Sequence, residues 1–191
     1  MYQKYQTDAI VVGSRESGEA DKTLALYTRD FGLVRARATS IRSEKSKMRY
    51  ALQSYARVNV SLVRGKSGWR AAGASAYVTA TGKDHSGVSA FARVSELVLR
   101  LVAGQERNEY LFDALAQAHE ALMRERIESA ATIEIVVVAR ILYSLGYLSA
   151  EALETALFTH TAYGDPELSE AERLKDKLLL SINKAIAETH L

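Results

Sequence analysis

Six cations fall between residues 35 and 49 of this 191-residue chain, namely Arg35, Arg37, Arg42, Lys45, Lys47 and Arg49, against one carboxylate, Glu44. A single-stranded nucleic-acid backbone needs repeated positive charge at roughly the spacing of its phosphates and does not need its bases read. Arg35 and Arg37 stand two apart, which on a strand puts both on one face, and the remaining four lie in a polar stretch that reads as a loop. Arg64, Lys66 and Arg70 form a second group around Gly65-Lys66-Ser67-Gly68. Charged faces are ordinarily just solvated, so these runs acquire meaning only if the fold gathers them. Flat rings would be the other ingredient, because every base stacks on them. Of the aromatic residues before position 80, Tyr50 beside Arg49 and Trp69 beside Arg70 are placed to join stacking to a phosphate contact.

Residues for other chemistry are missing. The chain has no cysteine, which removes disulfides, thiolate nucleophiles and cysteine-ligated zinc or iron–sulfur centres. Its four histidines, His85, His119, His160 and His190, form no pair with metal-ligand spacing, so no metal is expected. Gly65-Lys66-Ser67 ends like a phosphate-binding loop, but the glycine that motif needs five residues earlier is Val60, and a hairpin turn is the better reading. Asp8, Glu16, Glu19, Asp21 and Asp30 are of the type that holds magnesium in nucleases, yet they fall at expected turns and strand edges, where carboxylates accept bonds from free amides. Neither a Gly-x-Ser-x-Gly elbow nor a Gly-x-Gly-x-x-Gly loop occurs. The expectation is a protein that is not an enzyme, with no catalytic residue and no cofactor. Arg140 stands alone in an apolar stretch; a salt bridge or a snorkelling stem would satisfy it, and the functional alternative is an anchor for a partner's carboxylate.

Periodicity supplies the elements that must hold these residues. Before residue 80, alternating and β-branched stretches predict strands over 6–14, 22–28, 33–39, 51–63 and 69–78, separated by Gly-, Asp- and Ser-containing turns. Five short strands with a long third connection suit the OB-fold, a barrel that binds oligonucleotides; an SH3-like barrel has the same periodicity. After Gly82-Lys83-Asp84-His85-Ser86-Gly87 the period becomes helical. Phe91, Val94, Leu97, Val98, Leu101 and Val102 make one apolar stripe closed by Gly104, and Asn108 caps a helix carrying Leu111, Phe112, Leu115 and Leu122. Residues 132–145 read as a central buried helix ending at Gly146, and Ser149 opens a helix that includes Leu157. Ser169-Glu170-Ala171-Glu172 has capping-box spacing and starts a long helix after Pro166. The expected fold class is α+β: a five-stranded antiparallel OB-fold barrel over 1–80 that binds nucleic acid, followed by an all-α helical domain over 81–191 for partner docking or structure.

The two halves differ in charge far more than the whole-chain value of +2 suggests. Through Ala80 there are 14 Lys and Arg against six Asp and Glu, a net +8, and the remainder carries 11 against 17, a net −6. Such asymmetry points to a polyanion on one half, nucleic acid or an anionic membrane surface. No run of about 18 apolar residues is present and Met1-Tyr2-Gln3-Lys4-Tyr5 lacks the apolar core of a signal peptide, so a cytoplasmic protein is expected.

Thr7-Asp8-Ala9-Ile10-Val11-Val12, the turn Gly18-Glu19-Ala20-Asp21-Lys22, the stretch Thr28-Arg29-Asp30-Phe31-Gly32-Leu33-Val34-Arg35-Ala36 and Leu52-Gln53-Ser54-Tyr55 resemble the N-terminal pattern of the RecO recombination-mediator family. Leu145-Gly146-Tyr147 is similar to a later segment of that family. The resemblance implies an OB-fold and a helical domain in a non-enzymatic DNA repair mediator, cytoplasmic and associated with the nucleoid. Such a protein binds single- and double-stranded DNA, anneals complementary strands, associates with RecR and single-stranded-DNA-binding protein (SSB), and helps RecA to load. The family's basic face would fall on Arg35, Arg37, Arg42, Lys45, Lys47 and Arg49. Many members carry a four-cysteine zinc module after the Leu-Gly-Tyr segment, whereas residues 149–157 here contain no cysteine, which reads as a short form without it. Ile133-Glu134-Ile135-Val136 also lacks cations to grip an acidic SSB tail, leaving Arg140 as a weak substitute. The alternative is an RNA-binding OB module with a helical docking domain, acting in translation or RNA metabolism.

Overall fold

Val34, Ala36 and Ala38 are buried while Arg35 and Arg37 between them are exposed, so the strand expected at residues 33–39 has one face in a core and one in solvent. In the computed structural model, residues 3–78, 85–124 and 129–189 are described. The first part runs β1 (Lys4–Ser17), β2 (Asp21–Thr28), β3 (Gly32–Ala38), α1 (Met48–Ala51), β4 (Arg57–Gly65) and β5 (Gly68–Val78). These strands close a barrel in the order β1-β2-β3-β5-β4. Helices follow it, so the α+β arrangement is the one the sequence predicts. All neighbours are antiparallel except β3 and β5, which run parallel through Ala36–Trp69 and Arg37–Arg70. Five strands that reverse direction at each step cannot close a ring without one parallel seam.

The 14-residue β1 serves two neighbours, pairing with β4 from Lys4 to Ile10 and with β2 from Ala9 to Ser17, and a register shift between Val11 and Gly13 lets it turn the corner. Ala9, Val11, Leu24, Leu26, Val34, Ala36, Val58, Val60 and Leu62 are fully buried inside the barrel. Tyr5, Phe31 and Trp69 pack together with ring centroids 5.3–5.4 Å apart. The strand expected from residue 51 begins only at Arg57. Ala51 and Leu52 enter the core from the short helix α1 and its C-cap, since one helical turn buries an apolar pair as well as a strand does. Tyr55, in the left-handed region at φ 63°, then donates its N–H to the Val11 carbonyl at 2.8 Å and returns the chain to the sheet.

The chain divides into two compact units, Met1–Thr81 with Leu101–Glu109, and Gly82–Arg100 with Tyr110–Leu191. In the first unit Gly32, at φ 61°, lies so near Glu106 that an added Cβ would overlap the Glu106 carbonyl, and the Trp69 indole donates to Gln105 Oε1 at 2.8 Å.

The second part contains α2 (His85–Leu101), α3 (Glu109–Leu122), α4 (Ala130–Ser144), α5 (Ala150–Leu153), α6 (Asp165–Arg173) and α7 (Lys175–Glu188). Phe91, Val94 and Val98 of α2, the Leu111, Phe112, Leu115 and Leu122 face of α3, and most of α4 are buried. Ser86 and Gly87 belong to α2 rather than to a bridge, and Gly82 to Asp84 lie outside the described residues. The helix after Ser149 is a single turn, with the Ser149 hydroxyl accepting the Ala152 N–H at 3.3 Å, and Leu157 is buried beyond it. Ser169 does not start a helix but lies within α6. That helix opens four residues earlier, where the Gly164 N–H donates to Glu167 Oε2 at 2.8 Å and Pro166 occupies the first turn, the place where a missing N–H costs nothing. Leu174 separates α6 from α7. Among the described residues no helix is long and apolar enough to cross a membrane.

Candidate nucleic-acid interface

Strand register assembles what the sequence leaves scattered. Arg15 of β1 pairs with Thr23 of β2, Thr23 with Arg37 of β3, and Arg37 with Arg70 of β5. Paired residues project from the same face, so Arg15, Thr23, Arg37 and Arg70 form one row across four strands with neighbours about 5 Å apart. All three arginines are exposed. One step inward, Arg35 faces Ala25, which faces Gly13, leaving a floor of small residues beside the guanidinium. Arg15 lies outside the cation runs of the sequence and joins the site only through this pairing. The signal was available, because Ser17 opposite Asp21 across the turn fixes Arg15 opposite Thr23.

Arg37 is not free. Its Nε and Nη2 both donate to Asp21 Oδ2, at 2.9 and 2.6 Å, and Asp21 Oδ1 accepts the Ser40 N–H at 2.7 Å. The Ser40 amide, and after it the Arg37 guanidinium, hold the Asp21 carboxyl below the usual carboxylate range. Arg42 pairs with Glu16 at 3.1 Å, and its N–H donates to the Ala20 carbonyl at 2.9 Å, tying the loop after β3 to the β1–β2 hairpin. Through Arg42, Ser43, Glu44, Lys45, Lys47 and Arg49 that loop is exposed and winds in successive turns, with Ser43, Ser46 and Arg49 donating to the carbonyls of Ser40, Ser43 and Ser46.

One cleft borders the row and a second lies beside the loop. One, of about 510 Å³, is lined by Arg37, Thr39, Lys66, Ser67, Trp69 and Arg70, with the β4–β5 turn as one wall. The other, of about 370 Å³, lies among Glu16, Lys22, Arg42, Arg49 and Gln53. Arg64 stands apart from both linings, its guanidinium 5.4 Å from the Trp69 ring centroid.

The two expected stacking rings have different fates. Tyr50 is 66% exposed, with the Arg49 guanidinium 6.0 Å from its centroid. Trp69 is 6% exposed and packed against Tyr5 and Phe31, so it serves as core and is withdrawn as a stacking residue. Tyr77 is the exposed ring of β5 instead, its hydroxyl donating to Asp8 Oδ1 at 3.0 Å and the Arg57 guanidinium 5.8 Å from its centroid. Trp69 and Tyr77 are eight apart and would share a face in a regular strand. A register shift between Ala71 and Gly73 turns one inward and the other outward.

Arg140 is withdrawn as a docking anchor because it has no accessible surface. Its Nε donates to the Leu157 carbonyl at 3.0 Å, its Nη1 to the Ala162 carbonyl at 2.9 Å, and its guanidinium lies 4.5 Å from the Tyr163 ring centroid. It pins the non-helical segment after α5 onto α4. His119 is likewise buried, edge-on to Phe91 at 5.0 Å, and His160 faces Glu167 at 3.6 Å. The side chain of His85 and all of His190 lie outside the described residues.

Residues 1–70 match the family model described as Recombination protein O N terminal. Over 63 residues the chain is 40% identical to the DNA repair protein RecO of Desulfitobacterium hafniense, a match covering 33% of this chain and 23% of that one. It is 43% identical over 63 residues to the DNA repair protein RecO of Dehalococcoides mccartyi, covering 33% and 25%. With the protein of that name from Pelotomaculum thermopropionicum the identity is 40% over 62 residues, covering 32% and 24%. The matched stretch thus spans about a quarter of the length of these relatives.

Proposed function

The barrel of this chain belongs to the RecO family, and on that premise we propose that the protein is a non-enzymatic mediator of recombinational DNA repair which holds DNA by its phosphates on the outer face of β1, β2, β3 and β5. The observation that carries the reading is the cross-strand row of Arg15, Arg37 and Arg70, with Arg35 beside it and the loop cations Arg42, Lys45, Lys47 and Arg49 continuing from it. A row across the strands serves a backbone running perpendicular to them, and Tyr50 offers a ring for an unpaired base. Cations that contact phosphates and leave base edges alone suit annealing, since two complementary strands repel until their charge is neutralised. Assistance to RecA loading together with RecR completes the proposed role, the helical part being the platform for protein partners; SSB is left out of it, because the segment 133–136 lacks cations and Arg140 is buried.

The test is binding of a fluorescent oligothymidylate by the full chain over a range of salt. If about five phosphates are contacted, log affinity falls against log salt with a slope near −3.5. An affinity indifferent to salt would sink the reading. Reversing three charges together, Arg35→Glu, Arg37→Glu and Lys47→Glu, is expected to abolish strand annealing and leave the helical circular dichroism intact. Competition between matched DNA and RNA strands decides against the translation or RNA-metabolism role if DNA wins, because only RNA offers 2′-hydroxyls.

A further inference from the structure

We infer that Asp21 is an internal competitor for nucleic acid: its carboxylate occupies the place on Arg37 that a backbone phosphate takes in the bound state, and DNA engages the row by displacing it. This rests on reading the row as a phosphate-binding surface, and adds what sets its affinity.

The geometry is that of an anion already seated. The planar guanidinium presents a fork of N–H groups that suits a phosphate as well as a carboxylate. Here Nε and Nη2 of Arg37 both close on Asp21 Oδ2, at 2.9 and 2.6 Å. The two partners are unequally exposed: the Asp21 side chain is 17% accessible and that of Arg37 62%. A ligand arriving from solvent therefore meets the guanidinium first, with the carboxylate behind it. Asp21 is held in position from its other oxygen by the Ser40 N–H at 2.7 Å, where Ser40 adopts φ 53°.

Arg37, Lys66 and Arg70 line the same cleft of about 510 Å³. Among the described residues neither Lys66 nor Arg70 has a carboxylate partner, so of these three cations Arg37 alone carries an anion. The same hairpin supplies Glu16, which holds Arg42 at 3.1 Å in the loop. A phosphate entering the cleft is attracted by two open cations and opposed at the third. For an annealing surface that arrangement has a use, since strands must leave as readily as they arrive, and a tethered carboxylate speeds release without altering the shape of the face.

Asp21→Asn isolates the effect. Oδ1 remains to accept the Ser40 N–H, while an amide in place of Oδ2 cannot hold the guanidinium. With the full chain and a fluorescent oligothymidylate near 0.1 M salt, this variant is expected to bind about five- to tenfold tighter than the wild type at nearly the same salt slope, because the phosphate on Arg37 is contacted in both bound states and only the competitor is lost. Glu19→Gln removes a charge from the exposed turn next to Asp21 without touching Arg37, and should gain about twofold at most because a lone surface charge is screened. In an Arg37→Gln background, Asp21→Asn should gain no more than Glu19→Gln does. Equal gains from the two carboxylate variants, a full gain surviving in the Arg37→Gln background, or no gain would each overturn the inference. A readout independent of any variant is the 13C signal of the Asp21 carboxyl in wild-type protein, which must move when the oligonucleotide saturates the row; a stationary signal also overturns it. Wild-type protein that fails to bind the oligonucleotide refutes the proposed function and this inference together. Salt-dependent wild-type binding with no gain in Asp21→Asn refutes only the inference.

Discussion

A guanidinium with no accessible surface depends on what surrounds it, and Arg140 donates from Nε and Nη1 to two main-chain carbonyls and lies over a tyrosine ring, while its Nη2 has no hydrogen-bond partner among the described residues. Arg140→Met would keep much of the volume but strip the Leu157 and Ala162 carbonyls of their donor. A cost of about 2–4 kcal/mol is expected from two buried acceptors left unmade, read as a lower urea midpoint at unchanged slope. An unchanged midpoint would show that those carbonyls find other donors. The aromatic residues make the opposite contrast. Tyr50→Ala should weaken oligothymidylate binding by about 1 kcal/mol, roughly fivefold, as one stacked base is lost. Trp69→Phe should lower stability and leave affinity unchanged, because its ring is enclosed and its indole N–H is engaged with Gln105. A loss of affinity in Trp69→Phe with stability intact would restore it as a stacking residue. Sequence could place both rings next to arginines, but whether a ring is inside or outside depends on strand parity, and one bulge in β5 changes it.

Among the elements, β1 and β2 act as more than two walls of the barrel. Their hairpin end supplies Glu16 and Asp21, the two carboxylates that hold Arg42 and Arg37. The segment Leu101–Glu109 groups with the barrel although it lies between α2 and α3. Gly32 is the contact that fixes it, for a left-handed residue there cannot carry a Cβ without overlapping the Glu106 carbonyl. Gly32→Ala is expected to cost about 2–3 kcal/mol from the strained backbone alone and to force residues 104–107 away from β3. Faster amide exchange at those residues than in the wild type is the check, and equal exchange would mean the segment adjusts without moving off. Alternation and turn residues made most strands legible, with ends displaced by a few residues. The loop-to-helix passage at 48–56 was not legible, since Ala51 and Leu52 are apolar for a reason that a strand and a helical turn share. Ser169 misled similarly: its spacing to Glu172 fits a cap, but Gly164, Pro166 and Glu167 start the helix first.

For the molecule as a whole, charge separates into a net +8 before residue 81 and −6 from there on, and the proposed function places the salt dependence of binding in the first half. If the same row of about five contacts takes duplex, the slope should steepen from about −3.5 to about −4.5, because duplex DNA condenses more counterion per phosphate. Identical slopes would mean that duplex and single strand use different cations. Composition alone excluded thiol chemistry, because no cysteine is present. Turn residues and period laid out the barrel and the helices, because local spacing dictates which face of an element is apolar. Pairing lay beyond it: Arg15, Arg37 and Arg70 are 22 and 33 residues apart in the chain and adjacent only across strands. So did partnership, since nothing near Arg37 in sequence announces that Asp21, 16 positions away, already holds it. Burial separated Tyr50 from Trp69 and took Arg140 from the surface, since it depends on every element packed around a side chain rather than on that side chain's own neighbours.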